Sequence, residues 1–242
     1  MKQNTTQRTN KGKAVWIGLG IVAVGLAIWG ASATKDKATE PVATSGDLLA
    51  VVSDDYVKGN PAAPVTLIEY LDFECEACGA YYPLLKQLSA EFPDDLRIVT
   101  RYFPLPGHRN GMTAALAVEA AARQGKYAEM HDALFENQAA WGEQQSANPA
   151  IFETYAAQIG LDLPRFKADV KDASVRARVE RDFASGEELG NTGTPSFFLN
   201  GKKLENPGGY EALKQAIEDA LAEAEKAQPG AASSSTSSIE AQ

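Results

Sequence analysis

The chain has 242 residues, of which 23 are lysine or arginine and 32 are aspartate or glutamate, so its net charge is −9 at pH 7. Residues 1–13 hold four of the basic side chains and no acidic ones, which leaves 19 basic and 32 acidic side chains in the remainder. This balance excludes a nucleic-acid partner, because binding to phosphates requires the opposite charge. The two cysteines are three positions apart, so the chain has no framework of structural disulfides.

The first 34 residues predict export of everything that follows. Residues 14–34 carry no charge, and at about 1.5 Å per residue they reach roughly 31 Å, enough to cross the hydrocarbon core of a bilayer. Trp16 and Trp29 lie near the two ends of this segment, and the basic residues before it place residues 1–13 in the cytoplasm. A cleaved signal peptide is the alternative, since Ala31-Ser32-Ala33 is typical of a signal-peptidase site.

The remaining chain divides into a linker, one domain and a tail. Residues 35–53 predict a flexible linker, in which Leu48 to Val52 is expected to add a short edge strand. Residues 54–227 predict a folded domain. Residues 228–242 are rich in serine and predict a disordered tail.

The domain opens with a strand, a helix and a second strand. Residues 65–73 are apolar and β-rich, and the helical spacing that follows predicts a helix ending at Phe92-Pro93. Residues 96–103 predict the second strand. With a single helical crossover the two strands are expected to be parallel.

The rest of the domain is predicted to be helical, except for one hairpin. Residues from about 110 to 190 contain helical periodicity and no strand signal, which indicates a helical insert. Asn200-Gly201 lies between two short runs and predicts an antiparallel hairpin. The last helix is expected to be amphipathic, with apolar positions at Tyr210, Leu213, Ile217 and Leu221.

The two cysteines lie where the first strand passes into the first helix. The free N–H groups and the dipole at a helix N-terminus favour a thiolate, so Cys75 is expected to ionise more easily than a free thiol. A spacing of three residues allows Cys75 and Cys78 to form a disulfide that opens without unfolding. A purely structural disulfide would remove little entropy from the unfolded chain, because the loop is so short. A zinc site needs two further ligands, and the spacing of His108 and His131 does not favour one.

The order of these elements resembles the thioredoxin fold of DsbA-like thiol–disulfide oxidoreductases, with an inserted α-helical subdomain and here one N-terminal transmembrane or signal-anchor helix. The residues that carry the resemblance are Gly59-Asn60-Pro61, Ala63-Pro64-Val65, Asp72-Phe73-Glu74-Cys75-Glu76-Ala77-Cys78, Gln124-Gly125-Lys126, Met130-His131-Asp132-Ala133-Leu134-Phe135 and Gly193-Thr194-Pro195-Ser196-Phe197-Phe198. They fall within residues 54–225. On these motifs the chain is identified as a member of this family.

The resemblance implies roles for three residues besides the cysteines. Cys75 is the expected nucleophile and Cys78 the resolving thiol. Pro195 is expected to follow a cis peptide bond beside the cysteine pair, with Thr194 close enough to affect the sulfurs. Glu69 lies in an otherwise apolar strand, where a raised pKa would suit it to proton transfer. The alternative for Glu69 is a solvated charge at a strand edge.

The residues between the cysteines depart from the family pattern. The DsbA-like proteins commonly carry a Pro-His or Pro-Tyr type of dipeptide there, whereas this chain has Glu76-Ala77. With Glu74 also adjacent, two carboxylates are expected to oppose ionisation of Cys75 and to leave its pKa less depressed than in strong oxidases. His108 lies in a loop that could approach the site, and His131 is expected to be packed in a helix.

The expected function is disulfide exchange with exported client proteins that contain cysteines, first as an oxidase. The resemblance implies re-oxidation by a membrane partner resembling DsbB, and a monomer suffices. No cofactor is needed, because the two sulfurs hold the electrons. Reduction or isomerisation of client disulfides is an alternative, and a non-catalytic binding or chaperone module is another. The expected location is the cell envelope, with the domain either tethered to the membrane or released.

Overall fold

The computed structural model describes residues 47–144, 146–205 and 207–227, which contain one five-stranded sheet. The strands are β1 (Tyr56–Gly59), β2 (Val65–Leu71), β3 (Leu96–Tyr102), β4 (Ser196–Leu199) and β5 (Lys202–Leu204), in the order β1-β3-β2-β4-β5. The pairing of β2 with β3 is parallel, as the single helical crossover predicts, and the other pairings are antiparallel. The β4–β5 hairpin turns at Asn200-Gly201, where both residues have positive φ.

Eight α-helices are described. They are α1 (Glu76–Glu91), α2 (Gly111–Ala122), α3 (Tyr127–Glu136), α4 (Gln138–Trp141), α5 (Pro149–Gln158), α6 (Leu163–Asp169), α7 (Ala173–Glu188) and α8 (Tyr210–Ala227). The helices α2 to α7 lie between β3 and β4 in the chain and form the helical insert. Pro83 lies inside α1, which continues past it.

The alternation of side chains along β2 determines what each face of the sheet covers. Val65 and Leu67 pack with residues of α1 and α8, whereas Ile68 and Tyr70 lie in a cluster that Phe183 of α7 joins. Both faces are therefore covered, which explains why β2 is almost continuously apolar. Glu69 has the same parity as Leu67, so the alternation directs it towards α1.

One strand differs from the sequence-based prediction. The predicted edge strand over Leu48 to Val52 was wrong. Asp47–Leu49 form a turn of 3-10 helix, and the strand at this edge of the sheet is β1. The segment is held by Arg101, whose guanidinium donates to the carbonyl oxygens of Leu48 and Ala50. These hydrogen bonds from the Arg101 side chain satisfy backbone carbonyl groups of the segment, so that it does not need to pair with a strand.

The predicted membrane or signal segment, residues 14–34, lies outside the described residues and stays a prediction. So do the assignments of residues 1–13 and 228–242, and most of the linker. Among the residues that the structure describes, no helix is long and apolar enough to cross a membrane.

Candidate functional site: the Cys75–Cys78 pair

The two cysteines occupy the first turn of α1 with unequal exposure. Cys75 is the N-cap residue with extended backbone angles (φ −69°, ψ 120°), and its N–H donates to the Asp72 carbonyl oxygen at 3.1 Å. It is half-buried, whereas Cys78 has no exposed surface. Both are free thiols. A client sulfur can therefore reach only Cys75 directly.

The pKa values of the two thiols move in opposite directions. The pKa of Cys75 falls from 9.0 to about 5, chiefly through the hydrogen bond from the Cys78 thiol, against the opposing effect of burial. Thr194 and the backbone N–H groups of Cys78 and Ala77 lower it further. Burial raises the pKa of Cys78 well above its usual value. At neutral pH the pair therefore holds one thiolate, on Cys75.

Thr194 and Pro195 lie beside Cys75. The Thr194-Pro195 peptide bond is cis, which confirms the prediction for Pro195. The Cys75 thiol donates to the Thr194 carbonyl oxygen with a sulfur-to-oxygen distance of 3.3 Å. The Thr194 hydroxyl is buried and forms no hydrogen bond to the described residues in this thiol form. It is thus free to donate to a Cys75 thiolate, in keeping with its effect on the pKa.

Glu69 is buried beneath the cysteines and is not a solvated charge. Its side chain lies in the interior with 3% of the residue exposed. Burial, with a smaller contribution from the nearby Cys75 charge, raises its pKa to about 8. Its charge in turn adds to the raised pKa of Cys78. Glu69 is therefore protonated at pH 7 and lies within electrostatic range of both sulfurs.

Glu74 and Glu76 do not act on Cys75 as their positions in the sequence suggested. The Glu74 carboxylate is turned into the helical insert, where it accepts from the Asn110 N–H at 2.6 Å and from the Glu143 N–H at 3.1 Å. Glu76 is exposed to solvent, where its charge is screened. Neither carboxylate is among the principal influences on the Cys75 pKa, which nevertheless falls to about 5.

The sequence analysis predicted no role for Asp72, and for His108 it predicted only that its loop could approach the site. The buried Asp72 carboxylate accepts hydrogen bonds from the Leu105 N–H (2.7 Å), the Glu74 N–H (2.8 Å) and His108 Nδ1 (2.7 Å). Burial lowers the His108 pKa, but Asp72 and the Cys75 charge outweigh it and the net shift is upward. Asp72 thus fixes the cysteine turn and favours the protonated form of His108 beside it.

Gln138 is a further residue that the sequence did not reveal. Its Nε2 donates to the carbonyl oxygens of Phe73 (2.8 Å) and Cys75 (2.9 Å), and so connects α4 to the cysteine turn. Gly79 leaves room for this side chain, because a Cβ there would collide with Gln138 Oε1. No composition or spacing signal marks these contacts.

His131 lies in packed surroundings, and the structure gives no sign of a metal site among the described residues. His131 is packed against Phe73, Phe135 and Tyr82 in the helical insert, as expected. Within residues 47–144, 146–205 and 207–227, no three His, Cys, Asp or Glu side chains lie close enough to hold a metal ion.

Comparison with known proteins agrees with this geometry. A family model described as thioredoxin matches residues 52–219. The chain belongs to the thioredoxin family. A thioredoxin-like oxidoreductase from Silicibacter pomeroyi DSS-3 is 30% identical with a TM-score of 0.63, over 73% of this chain and 97% of that one.

The predicted fold, that of DsbA-like proteins, is confirmed by a second structure. Wolbachia pipientis alpha-DsbA1 superimposes with a TM-score of 0.69 at 22% identity, over 76% of this chain and 99% of that one, and shows the shared fold. Among curated proteins, the Na(+)/H(+) antiporter NhaA 3 of Salinispora tropica is 38% identical over 171 residues, which are 70% of this chain. The chain spans only 25% of that antiporter, whose name describes the whole protein.

Proposed function

We propose that this protein is a thiol–disulfide oxidoreductase that donates disulfides to exported client proteins. The observation that carries this proposal is the contrast between the two cysteines. Cys75 is accessible and has a pKa of about 5, whereas Cys78 is fully buried and its pKa is raised. An accessible, stabilised thiolate beside a protected thiol suits exchange through one sulfur at a time.

The reaction starts from the oxidised pair. A client thiolate attacks Cys75 Sγ, a client–Cys75 disulfide forms, and the Cys75–Cys78 bond breaks with its electron pair passing to Cys78. Cys78 then takes a proton, which its raised pKa favours and which the protonated Glu69 would supply. A second client thiolate attacks the client sulfur of the mixed disulfide, and Cys75 leaves as a thiolate. The client is oxidised and the pair is reduced by two electrons.

The low pKa of Cys75 favours oxidation of clients over their reduction. A stabilised thiolate lowers the free energy of the reduced pair, so the pair gives up its disulfide more readily. Glu74 and Glu76 were expected to oppose ionisation of Cys75 and so to favour a less oxidising pair. This expectation is weakened, because Glu74 is turned away from Cys75 and Glu76 is exposed to solvent. Reduction or isomerisation remains the alternative.

The Thr194-Pro195 segment is the proposed contact for the client backbone. It lies against Cys75 and leads into β4, which begins at Ser196. An extended client segment beside Thr194 would bring its cysteine to the accessible sulfur. Exposed backbone next to a sheet is a common way of holding an extended peptide.

The location and partners are proposed from the sequence. An uncharged segment over residues 14–34 after a basic tail would place the domain outside the cytoplasm, either tethered or released. Re-oxidation would fall to a membrane partner resembling DsbB. The protein would act as a monomer.

The deciding experiment is the reduction potential of the Cys75–Cys78 pair in the full chain, measured by equilibration with glutathione. A potential near about −120 mV supports the oxidase, and one near about −270 mV indicates a reductant. A parallel assay follows disulfide formation in a reduced, unfolded client. Cys75→Ser should abolish it. Absence of disulfide formation by the wild type, together with client binding that Cys75→Ser leaves unchanged, would show that the protein acts as a non-catalytic module.

A further inference from the structure

A cavity of about 460 Å³ lies behind the cysteine pair, on the side of the sheet that α1 covers. It is bounded by β1, β3, α1 and α3. Glu69 and Cys78 are among its lining residues, but Cys75, Thr194 and Pro195 are not. This space, called here the rear cavity, is therefore separate from the surface on which clients react.

Two polar groups in the rear cavity have no partner. Glu69 lines it with 3% of the residue exposed, and its carboxyl forms no hydrogen bond to the described residues. The Tyr127 hydroxyl is buried and also unpaired there, since Thr100 affects its pKa without meeting hydrogen-bond geometry. Buried polar groups are almost always satisfied, so these two indicate a polar occupant at the inner end of the rear cavity.

The walls are apolar and aromatic. Tyr82, Leu85 and Phe135 line the rear cavity from the helices, and Ile98 lines it from the sheet. Tyr82 and Phe135 are stacked with their ring centroids 5.2 Å apart. Walls of this kind pack well against a flat apolar group, such as an aromatic ring.

The outer end carries one cation without an acidic partner. Lys58 is an exposed residue that lines the outer end of the rear cavity, and partial burial lowers its pKa although Asp132 acts in the opposite direction. Within the part of the chain that the structure describes, no carboxylate lies within 4.0 Å of its ammonium group. The acids at the same opening are already paired, Asp132 with Lys86 (3.5 Å) and Glu129 with Lys126 (2.7 Å).

The strand register sets the separation between Lys58 and Glu69. Lys58 is opposite Ile98 on β3, and Glu69 is opposite Thr100, so both side chains are on the α1 face. They are two strands and two residues apart, which corresponds to roughly 12 Å between their Cα atoms. A benzene ring that carries polar groups at opposite positions, with one hydrogen bond at each end, spans a distance of this order.

We propose that the rear cavity binds a small aromatic carboxylate that carries a ring hydroxyl. The ring packs against Tyr82 and Phe135, the hydroxyl bonds to Glu69, and the carboxylate bonds to Lys58. The site goes beyond the disulfide exchange proposed above and does not depend on it. Since the occupant contacts Glu69 beside Cys78, its binding also changes the surroundings of the resolving thiol.

The probe is para-hydroxybenzoate, titrated into the full chain at pH 7 by calorimetry. A ligand of about ten non-hydrogen atoms is expected to bind with a Kd between roughly micromolar and millimolar. Benzoate lacks the hydroxyl and phenol lacks the carboxylate, and each should bind about tenfold more weakly. The absence of saturable binding at about 10 mM would overturn the proposal.

Variants locate the site. Lys58→Met should weaken binding by about tenfold, whereas Lys202→Met, on the edge strand at the opposite side of the sheet, should not alter it. Equal affinity in wild type and Lys58→Met would refute the proposed site, provided that circular dichroism shows both to be folded. Cys75→Ser should bind as wild type does, which separates this site from the redox function.

Discussion

Cys75 Sγ lies 3.3 Å from the carbonyl oxygen of Thr194, a residue 119 positions away in the chain. The Thr194 hydroxyl has no other partner among the described residues, so it is available to the Cys75 thiolate. Thr194→Val removes this donor and should raise the Cys75 pKa by about one unit. The thiolate absorbance of the reduced protein, followed against pH, measures the change.

The same variant makes a second, linked measurement possible. A higher Cys75 pKa destabilises the reduced pair, so the reduction potential of Thr194→Val should become more negative. Thr192→Val is the matched control, because Thr192 is exposed two positions away. An unchanged thiolate titration in Thr194→Val would show that the hydroxyl does not act on the sulfur.

Glu69→Gln should stabilise the reduced protein and change its pH dependence. Because burial raises the Glu69 pKa from 4.5 to about 8, the folded state binds more protons than the unfolded state between these pH values. The free energy of unfolding therefore falls as pH rises through that window. Glutamine does not titrate, so it removes this loss of stability, which is worth roughly 3 kcal/mol at pH 7.

Urea unfolding at several pH values tests this expectation. The difference between Glu69→Gln and wild type should be small near pH 4 and should grow until about pH 8. Glu218→Gln serves as the control, since Glu218 is exposed on α8. A constant difference at all pH values would mean that Glu69 does not titrate in this range.

Gly79 and Gln138 should behave as a coupled pair. A Cβ at Gly79 displaces the Gln138 side chain, and with it the two hydrogen bonds to Phe73 and Cys75. Gly79→Ala and Gln138→Ala should each cost about 1–3 kcal/mol of stability. The double variant should cost little more than either single one. Additive losses in denaturant unfolding would disprove the coupling.

Asp55 should be essential for stability. Its side chain is fully buried between Arg101 (2.8 Å) and Arg178 (3.5 Å). Asp55→Ala leaves the buried Arg101 guanidinium without its carboxylate, although Arg178 keeps Asp182, and should cost about 3–5 kcal/mol. Asp54→Ala is the control, because the Asp54 side chain is 51% exposed. Thermal unfolding of the three proteins should place Asp54→Ala close to wild type, and similar losses in both variants would argue against the buried network.

The sequence predicted those parts of the site that depend on local pattern. The apolar run of β2 followed by helical spacing placed Cys75 and Cys78 at the start of α1, and Asn200-Gly201 predicted the hairpin. For Glu69 the apolar neighbours favoured burial but left a solvated charge at a strand edge as the alternative, and the structure shows burial. These features arise within one or two elements, where periodicity and turn chemistry are informative.

The contacts made across the fold were not predictable in the same way. Gln138 bonds to residues more than 60 positions away, and Asp72 accepts hydrogen bonds from the Leu105 N–H and the His108 ring of a distant loop. Glu74 looked like a charge beside the cysteine, yet its carboxylate serves the N-terminus of α2. The direction in which a side chain points depends on packing, which no spacing in the chain records. The short strand β1 was missed because its burial is slight and its pattern too brief.

Both ends of the sheet are poor templates for a further strand. β1 has four residues, and β5 has three, two of which are the exposed Lys202 and Lys203. Short edges with lysine side chains disfavour pairing with another extended polypeptide. In the proposed role as an oxidase of unfolded clients, such edges would protect the protein from co-aggregating with those clients.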